Sequence, residues 1–275
     1  MFTLWRIRPR RRASLEELAK DARSRDIVFL GEIHENLGVL EAELSVLNTL
    51  ASQCKHLMLF LEMFNYMQQP LLDKYLEGKM SWQELVREYS RSREGFSLDH
   101  YKPLIDLAAS RGLKVYGVMP PREYASQVAR RGLKALREVG EQLVGEEDID
   151  KGPPGYRERF MELIPREGPM AALDPEKLLE AQAYKDTIAS RIIVDKLSKT
   201  SCSYKPRALV IMGYGHVEHV GTVPHRVSRY GYDPLVITSR TAGSKEEAHR
   251  ILEELARDPL LIADYLVVAY ELGIN

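Results

Sequence analysis

The chain has 275 residues, which suits one large domain with or without a small insertion. Hydrophobic residues make up 44% of it, and 39 basic residues nearly balance 40 acidic ones. This balance gives no overall field to attract nucleic acid, and no apolar run reaches the roughly 18 residues of a transmembrane helix.

The first thirteen residues are basic, with arginine at positions 6, 8, 10, 11 and 12. We expect residues 1–13 to form a frayed, solvated arm ahead of a single domain over residues 14–275. The arm lacks the apolar segment of a signal peptide, and it has no lipobox cysteine. Cys54 and Cys202 form neither a disulfide framework nor a zinc motif. These features predict a cytoplasmic protein.

Short apolar runs recur along the chain, and each has the composition of a buried strand. They occupy residues 26–31, 57–62, 114–119, 207–212 and 234–238. Runs that are apolar on both faces and separated by helices are typical of parallel sheets, which helices cover on each side. The sequence therefore predicts an α/β fold with a mostly parallel central sheet flanked by helices.

Amphipathic patterns predict the helices between these strands, with Ser14 and Asp174 as N-caps. The predicted helices span residues 14–23, 37–53, 68–76, 81–89, 98–110, 121–143, 156–164, 174–196 and 259–272. A stretch rich in Gly and Pro interrupts the pattern over residues 144–172. We interpret residues 120–198 as a helical insertion that covers the carboxyl edge of the strands. It could act as a lid or as a spacer.

Polar side chains follow the predicted strands at the points where those strands end. Two Gly-x-x-His turns, Gly31-Glu32-Ile33-His34 and Gly213-Tyr214-Gly215-His216, each follow a buried strand. Glu62 ends the second strand, and Arg122 comes soon after the third. The carboxyl ends of parallel strands meet at one edge, where open α/β sheets bind ligands. We expect each glycine to turn the backbone at positive φ, so that the histidine points back over the sheet.

These residue types allow several kinds of chemistry. His34, His216 and Glu62 have the composition of a zinc, manganese or iron site with an open position. Glu32 or Glu62 could act as a general base, and Arg122 could hold an anionic group. A single Gly-x-x-His turn occurs by chance in many chains, however, and Glu62 could simply cap a helix.

Several motifs occur in order over about residues 15–240, at positions 30–34, 61–64, 69–78, 101–104, 121–122, 181–186, 213–217 and 221–226. Together they resemble the ChaN-like family of haem-binding uptake proteins, which is related to the Tiki, TraB and erythromycin-esterase proteins. The resemblance implies an α/β core with a helical subdomain. It also implies a site built from Glu32, His34, Glu62, Gln182, Asp186 and His216.

The resemblance further implies a haem ligand, in some relatives held by a tyrosine within a homodimer. The candidate tyrosines are Tyr66, Tyr101, Tyr184 and Tyr214, and Arg122, Gln182, Asp186 and Tyr214 are the candidate ligand-binding residues. Our first hypothesis is therefore a ChaN-like protein that binds haem or a divalent metal ion at the polar rim. The alternatives are a metal-dependent hydrolase like Tiki and a metal-free esterase like erythromycin esterase. A non-catalytic interaction protein is a further possibility.

Overall fold

A computed structural model describes residues 1–164, 167–168, 171–200 and 204–270. Its strands are β1 (Phe2–Arg6), β2 (Arg11–Arg12), β3 (Ile27–Glu32), β4 (Met58–Asn65), β5 (Lys114–Met119), β6 (Ala208–Gly213), β7 (Pro234–Ala242) and β8 (Tyr265–Tyr270). All eight form one sheet, in the order β2-β1-β8-β7-β3-β6-β4-β5. The strands from β3 to β8 are parallel, and β1 and β2 extend one edge in antiparallel pairing. The predicted α/β fold is confirmed.

The helices surround this sheet on both faces and at its carboxyl edge. They are α1 (Leu15–Ala22), α2 (Leu37–Gln53), α3 (Gln69–Leu76), α4 (Trp82–Ser90), α5 (Leu98–Ser110), α6 (Arg122–Arg131), α7 (Ala135–Val139), α8 (Tyr156–Leu163), α9 (Pro175–Ser198), α10 (Val223–Ser228) and α11 (Lys245–Arg257). The predicted caps are present, since Ser14 accepts from the amide of Glu17 and Asp174 from that of Glu176. Among the described helices, none is long and apolar enough to cross a membrane.

Two apolar cores lie on opposite faces of the sheet. One joins the sheet to helices α1, α2, α4 and α5, and the other joins it to α9, α10 and α11. The helix after β3 therefore covers one face, whereas the helix after β6 covers the other. Because β3 and β6 are neighbours, the switch from one face to the other falls between their carboxyl ends. This is where open α/β sheets place their ligands.

The helical insertion has a small apolar core of its own. Helices α6 to α9 contribute to it, and residues of the loops between them complete it. The single helix predicted over residues 121–143 is wrong, because Gly132 at φ +81° ends α6 and a separate α7 follows. Helix α9 is long enough to join this core at its start and the sheet at its end. It thereby carries residues from the insertion to the carboxyl edge.

Both ends of the chain differ from the prediction. The helix predicted over residues 259–272 is wrong, since Tyr265–Tyr270 is strand β8 (residues 271 and 272 lie outside the described part, as does Cys202). Its run of aromatic and β-branched side chains favours a strand. The frayed arm is also wrong, because Phe2–Arg6 pairs with β8 along its whole length. Leu4 and Trp5 point to opposite cores, and this two-sided burial holds the strand in place.

Candidate functional site

Three neighbouring strands end at the same level of the sheet, and their last residues form the floor of the candidate site. The register pairs Glu32 of β3 with Gly213 of β6. On the other side of β6, Leu61 of β4 pairs with Ile211, so Glu62 follows one step further along. The strand order therefore brings together side chains that are separated by up to 181 positions in the chain.

His34 stands at the outer side of this floor and is oriented by a buried carboxylate. Its Nδ1 lies 2.7 Å from Oε1 of Glu32, which is only 1% exposed. The same oxygen accepts a hydrogen bond of 3.1 Å from the hydroxyl of Tyr101. The His34 side chain is itself 44% exposed, and the ring of Phe96 meets it edge-on at 5.0 Å. Nε2 of His34 is thus the ring nitrogen that does not contact Glu32.

The electrostatic surroundings favour the charged form of His34. Partial burial lowers the pKa of this imidazole, but the hydrogen bond that it donates to Glu32 and the charges of Glu62 and Glu32 outweigh that effect. The net effect is a pKa raised above the ordinary value of 6.5. The two carboxylates therefore stabilise the imidazolium form of His34.

His216 lies on the inner side and is almost fully buried. A short 3-10 turn, Tyr214–His216, follows β6 and turns the ring towards α9. There Nδ1 forms a short hydrogen bond with Oδ1 of Asp186 and lies 2.9 Å from Nε2 of Gln182. Asp186 is completely buried. The two turns thus have the same motif but opposite environments, because one histidine faces solvent and the other faces the insertion.

Glu62 lies between the two histidines. Its Oε1 is 3.6 Å from Nε2 of His216, and its Oε2 accepts a hydrogen bond from the amide of Gly213. Burial raises the pKa of Glu62, but the charges of His216, His34 and Lys185 and this amide lower it further than burial raises it. Glu62 is therefore ionised at neutral pH, and its negative charge links the two halves of the site.

The two motif glycines are required because a side chain would not fit at either position. This reason differs from our expectation that each glycine would have a positive φ. Gly213 has φ −51°, and Gly31 is not among the residues with positive φ. A Cβ on Gly31 would lie 2.9 Å from the Cα of Tyr214. A Cβ on Gly213 would lie 3.0 Å from Cε1 of His34 and 3.4 Å from Oε2 of Glu62. Both glycines let the strand ends and the site side chains approach each other closely.

Two functional candidates were not assigned from the sequence. Lys185 places Nζ 3.4 Å from Nε2 of His216, and burial lowers its pKa in spite of the charges of Glu62 and Asp186. The motif at 181–186 contained this lysine, so a signal was available. Tyr156 of α8 donates a 2.7 Å hydrogen bond to Oδ2 of Asp186. It lies in the stretch rich in breakers, where the sequence had no pattern to distinguish it.

Two predicted ligand-binding residues lie away from this cluster. Arg122 donates a 2.9 Å hydrogen bond to the carbonyl of Glu94, and its own amide bonds to the Glu94 carboxylate. It therefore anchors the loop before α5. The ring of Tyr214 packs 4.5 Å from the guanidinium of Arg240 and lines a separate cavity of about 500 Å³ that also includes His219.

The side chains do not form the metal site that the sequence suggested. Within the described ranges, no group of three or more His, Cys, Asp and Glu residues is arranged to hold a metal ion. Nδ1 of His216 is engaged by Asp186, and Nζ of Lys185 lies 3.4 Å from Nε2. Both ring nitrogens of His216 therefore already have a polar neighbour. The geometry thus gives no support to a centre of His34, His216 and Glu62.

Comparison with known proteins adds a family and a fold. Residues 18–227 match the family described as haem-binding uptake, Tiki superfamily, ChaN. No curated protein matches the chain. The structure of ChaN from Campylobacter jejuni, described by its cofacial haem binding, is similar with a TM-score of 0.69 and 16% identity, covering 98% of this chain and 96% of that one.

Two other solved structures are more distant. Erythromycin esterase EreC in its open conformation has a TM-score of 0.47 and 16% identity, with 89% of this chain and 78% of that chain covered. The C-terminal region of Pasteurella multocida toxin has a TM-score of 0.49 and 9% identity, with 96% and 28% covered. Likenesses at this level carry no argument about activity.

Proposed function

Because the chain belongs to the ChaN family of haem-binding uptake proteins in the Tiki superfamily, we propose that it binds haem. The observation that carries this proposal is the family match itself, which extends over residues 18–227. That range contains His34, Glu62, Gln182, Asp186 and His216. Every side chain of the cluster at the carboxyl edge thus lies within the matched part of the chain.

His34 is the residue that we propose as the axial ligand. Haem supplies an iron that needs a nitrogen or oxygen from the protein. Nδ1 of His34 faces Glu32, which leaves Nε2 as the available nitrogen. A carboxylate on the opposite nitrogen is the usual partner of a ligating histidine, because it fixes the ring and raises its basicity. The partial exposure of His34 leaves it accessible to a ligand from solvent.

Phe96 provides apolar contact for a flat porphyrin beside His34, because its ring packs edge-on against the imidazole. Two further apolar side chains follow the carboxyl ends of strands and are exposed, Leu37 at the start of α2 (67%) and Met67 in the turn after β4 (58%). We propose that these side chains contribute to packing against haem.

The tyrosines considered as ligands differ in their availability. Tyr101 and Tyr184 are fully buried, with hydroxyls bonded to Glu32 and Glu141. The Tyr66 hydroxyl is also engaged by Glu141, at 3.0 Å. Among these four, Tyr214 is the partly exposed residue without such a carboxylate bond among the described contacts. We therefore keep Tyr214 as the alternative axial ligand.

A haem titration of the purified protein tests this proposal. We expect a shifted Soret band that saturates at a defined stoichiometry, and His34→Ala should weaken haem binding by at least about tenfold. His56→Ala is the matched control, because His56 is exposed and lies in the loop before β4, at the opposite edge. If Tyr214→Phe has the larger effect, Tyr214 is the ligand. If the unaltered protein shows no Soret shift at stoichiometric haem, the proposal is wrong.

A homodimer that pairs two haems is a further part of the proposal, since the Campylobacter jejuni relative is described by cofacial haem binding. Sedimentation velocity with and without haem tests it. We expect a haem-dependent shift from monomer to dimer. A monomer at every haem concentration would exclude the paired arrangement, although not haem binding itself.

One observation favours hydrolysis as a second candidate. The buried Asp186 holds Nδ1 of His216, which is how a carboxylate orients a histidine that acts as a general base. An esterase of this type would resist chelators and lose activity in His216→Ala. A metal-dependent hydrolase would instead lose activity with a chelator, and His34→Ala and His216→Ala would lose bound metal. If the protein hydrolyses none of a panel of esters, both the metal-free and the metal-dependent hydrolase alternatives are wrong.

A further inference from the structure

The side chain of Glu43 on α2 is a buried polar group that the proposed function does not use. It is completely buried, and both carboxyl oxygens lack a hydrogen-bond donor among the described residues. The same side of α2 carries Val39, Ala42 and Val46, all fully buried in the apolar core. An ionised carboxylate without donors is highly unfavourable in such surroundings, whereas a protonated one is tolerated if its hydroxyl finds an acceptor.

Glu32 is the acceptor within reach of Glu43. The side chain of Glu43 interacts with that of Glu32 through charge and as a hydrogen-bond partner, and Glu32 is also almost fully buried. Two buried carboxylates in contact cannot both be ionised, so such a pair retains one proton. Tyr101 on α5, His100 beside it and His34 are the other titratable groups around Glu32, and the phenol of Tyr101 already donates to Glu32.

The remaining contacts decide which member of the pair keeps the proton. Glu32 already accepts a hydrogen bond from Tyr101, and its Oε1 lies 2.7 Å from Nδ1 of His34. Glu43 has no comparable partner. Burial and the charge of Glu32 accordingly raise the pKa of Glu43 well above its ordinary value. The asymmetry of partners therefore assigns the proton to Glu43.

We propose that Glu43 is a neutral carboxylic acid that donates its hydroxyl proton to Glu32, and that it thereby positions the carboxylate that holds His34. Glu43 does not itself touch the ligand position. It acts through Glu32, as the innermost member of a chain that runs from Glu43 to Glu32 and on to His34. A hydrophobic residue would fill the same space but would leave Glu32 with one donor fewer.

Infrared difference spectra of the haem-free protein test the protonation state directly. Subtracting the Glu43→Gln spectrum from that of the unaltered protein at neutral pH should show the carbonyl band of a protonated carboxylic acid. Glu41→Gln is the matched control, because Glu41 lies on the same helix with its side chain 56% exposed, and its difference spectrum should show ionised carboxylate bands. If the Glu43 difference also shows only ionised carboxylate bands, the inference is wrong.

Glu43→Leu provides a second variant that should fold, because the buried side of α2 is otherwise apolar. It should lose the same protonated band. The positioning role rests on the proposed haem binding. We expect Glu43→Gln to keep the haem affinity within about threefold, since an amide also donates, and Glu43→Leu to weaken it about tenfold. Equal affinities in the two variants would refute the positioning role. The infrared result stands even if haem does not bind.

Discussion

At the scale of single residues, the two motif histidines lie in different environments within one site. The His34 side chain is 44% exposed and that of His216 is 7% exposed. Each has a carboxylate on Nδ1, Glu32 in one case and Asp186 in the other. The exposed ring can accept a ligand from solvent, whereas the buried ring connects the sheet to α9. The two histidines share a sequence motif, so it is their different exposure that distinguishes their roles.

The titration of His34 leads to a pH prediction. Its pKa is raised above 6.5, because Glu32 and Glu62 outweigh the effect of burial. A protonated imidazole cannot bind iron, so haem affinity should fall on acidification with a midpoint above pH 6.5. Soret titrations at a series of pH values measure this midpoint. Glu32→Gln should move it to lower pH, and an unchanged midpoint in that variant would contradict the assignment.

The raised pKa of His34 affects the stability of the fold in the opposite direction. Since the folded protein binds the proton of His34 more tightly than the unfolded chain, this residue stabilises the fold at pH values below 6.5. That contribution is lost as the pH rises through the raised pKa of the folded state. Ligand binding and stability should therefore respond to pH in opposite directions at this residue.

Gly213→Ala tests the close approach at the centre of the site. Its backbone angles suit alanine, so only the space around the new methyl group matters. Contact with His34 and Glu62 should cost about 1–3 kcal/mol of unfolding free energy and disturb haem binding. Gly215→Ala is the control, because its Cβ would meet only the end of the partly exposed Leu163 side chain. Chemical denaturation of both variants measures the difference, and equal stabilities would argue against crowding.

At the scale of secondary structure, α8 and α9 connect the insertion to the site. The Tyr156 ring is held closely between two glycine turns, since a Cβ on Gly152 would lie 2.5 Å from the ring and one on Gly221 would lie 2.7 Å from it. The guanidinium of Arg226 packs 5.3 Å from the same ring. From this position the hydroxyl reaches Asp186, which in turn holds His216. A helix of the insertion thus helps to orient a histidine of the sheet.

The loss of the Tyr156 hydroxyl should have a measurable effect on stability. Tyr156→Phe keeps the ring but leaves the buried Asp186 with one donor fewer, and we expect a loss of about 1–3 kcal/mol in unfolding free energy. Tyr230→Phe is the control, because that side chain is 58% exposed. Urea denaturation compares the two. A Tyr156→Phe protein as stable as the control would show that the bond contributes nothing.

At the scale of the whole molecule, β1 completes the sheet from the opposite end of the chain. It covers the edge of β8, whose residues are mostly buried and apolar. An uncovered apolar edge strand is a site for aggregation. The amino-terminal segment is therefore part of the fold.

Truncation tests this role. Deleting residues 1–6 should expose β8 and produce an aggregating or markedly less stable protein, which light scattering and thermal unfolding would detect. Arg10→Ala alters the basic segment outside the sheet and should leave both unchanged. A truncated protein that stays monomeric with full stability would support the frayed arm first expected.

The sequence alone determined the order of the main strands and helices and the polar residues that follow the strands. Apolar runs marked β3, β4, β5, β6 and β7, because buried parallel strands need apolar residues on both faces. The caps at Ser14 and Asp174 marked helix starts through local hydrogen bonds. These features depend on residues close together in the chain, so a local pattern suffices to reveal them.

Only the tertiary structure decided which of these residues meet, and in what environment. Strand order placed Glu32, Gly213 and Glu62 side by side, and no local pattern encodes that order. In helix α2 the apolar Leu37 is exposed, whereas the ionisable Glu43 is buried. The local pattern predicts a helix where β8 lies, because the two-sided burial of this strand depends on β1 and β7. Burial and pairing arise from contacts between distant segments, which is why they became visible only in the folded chain.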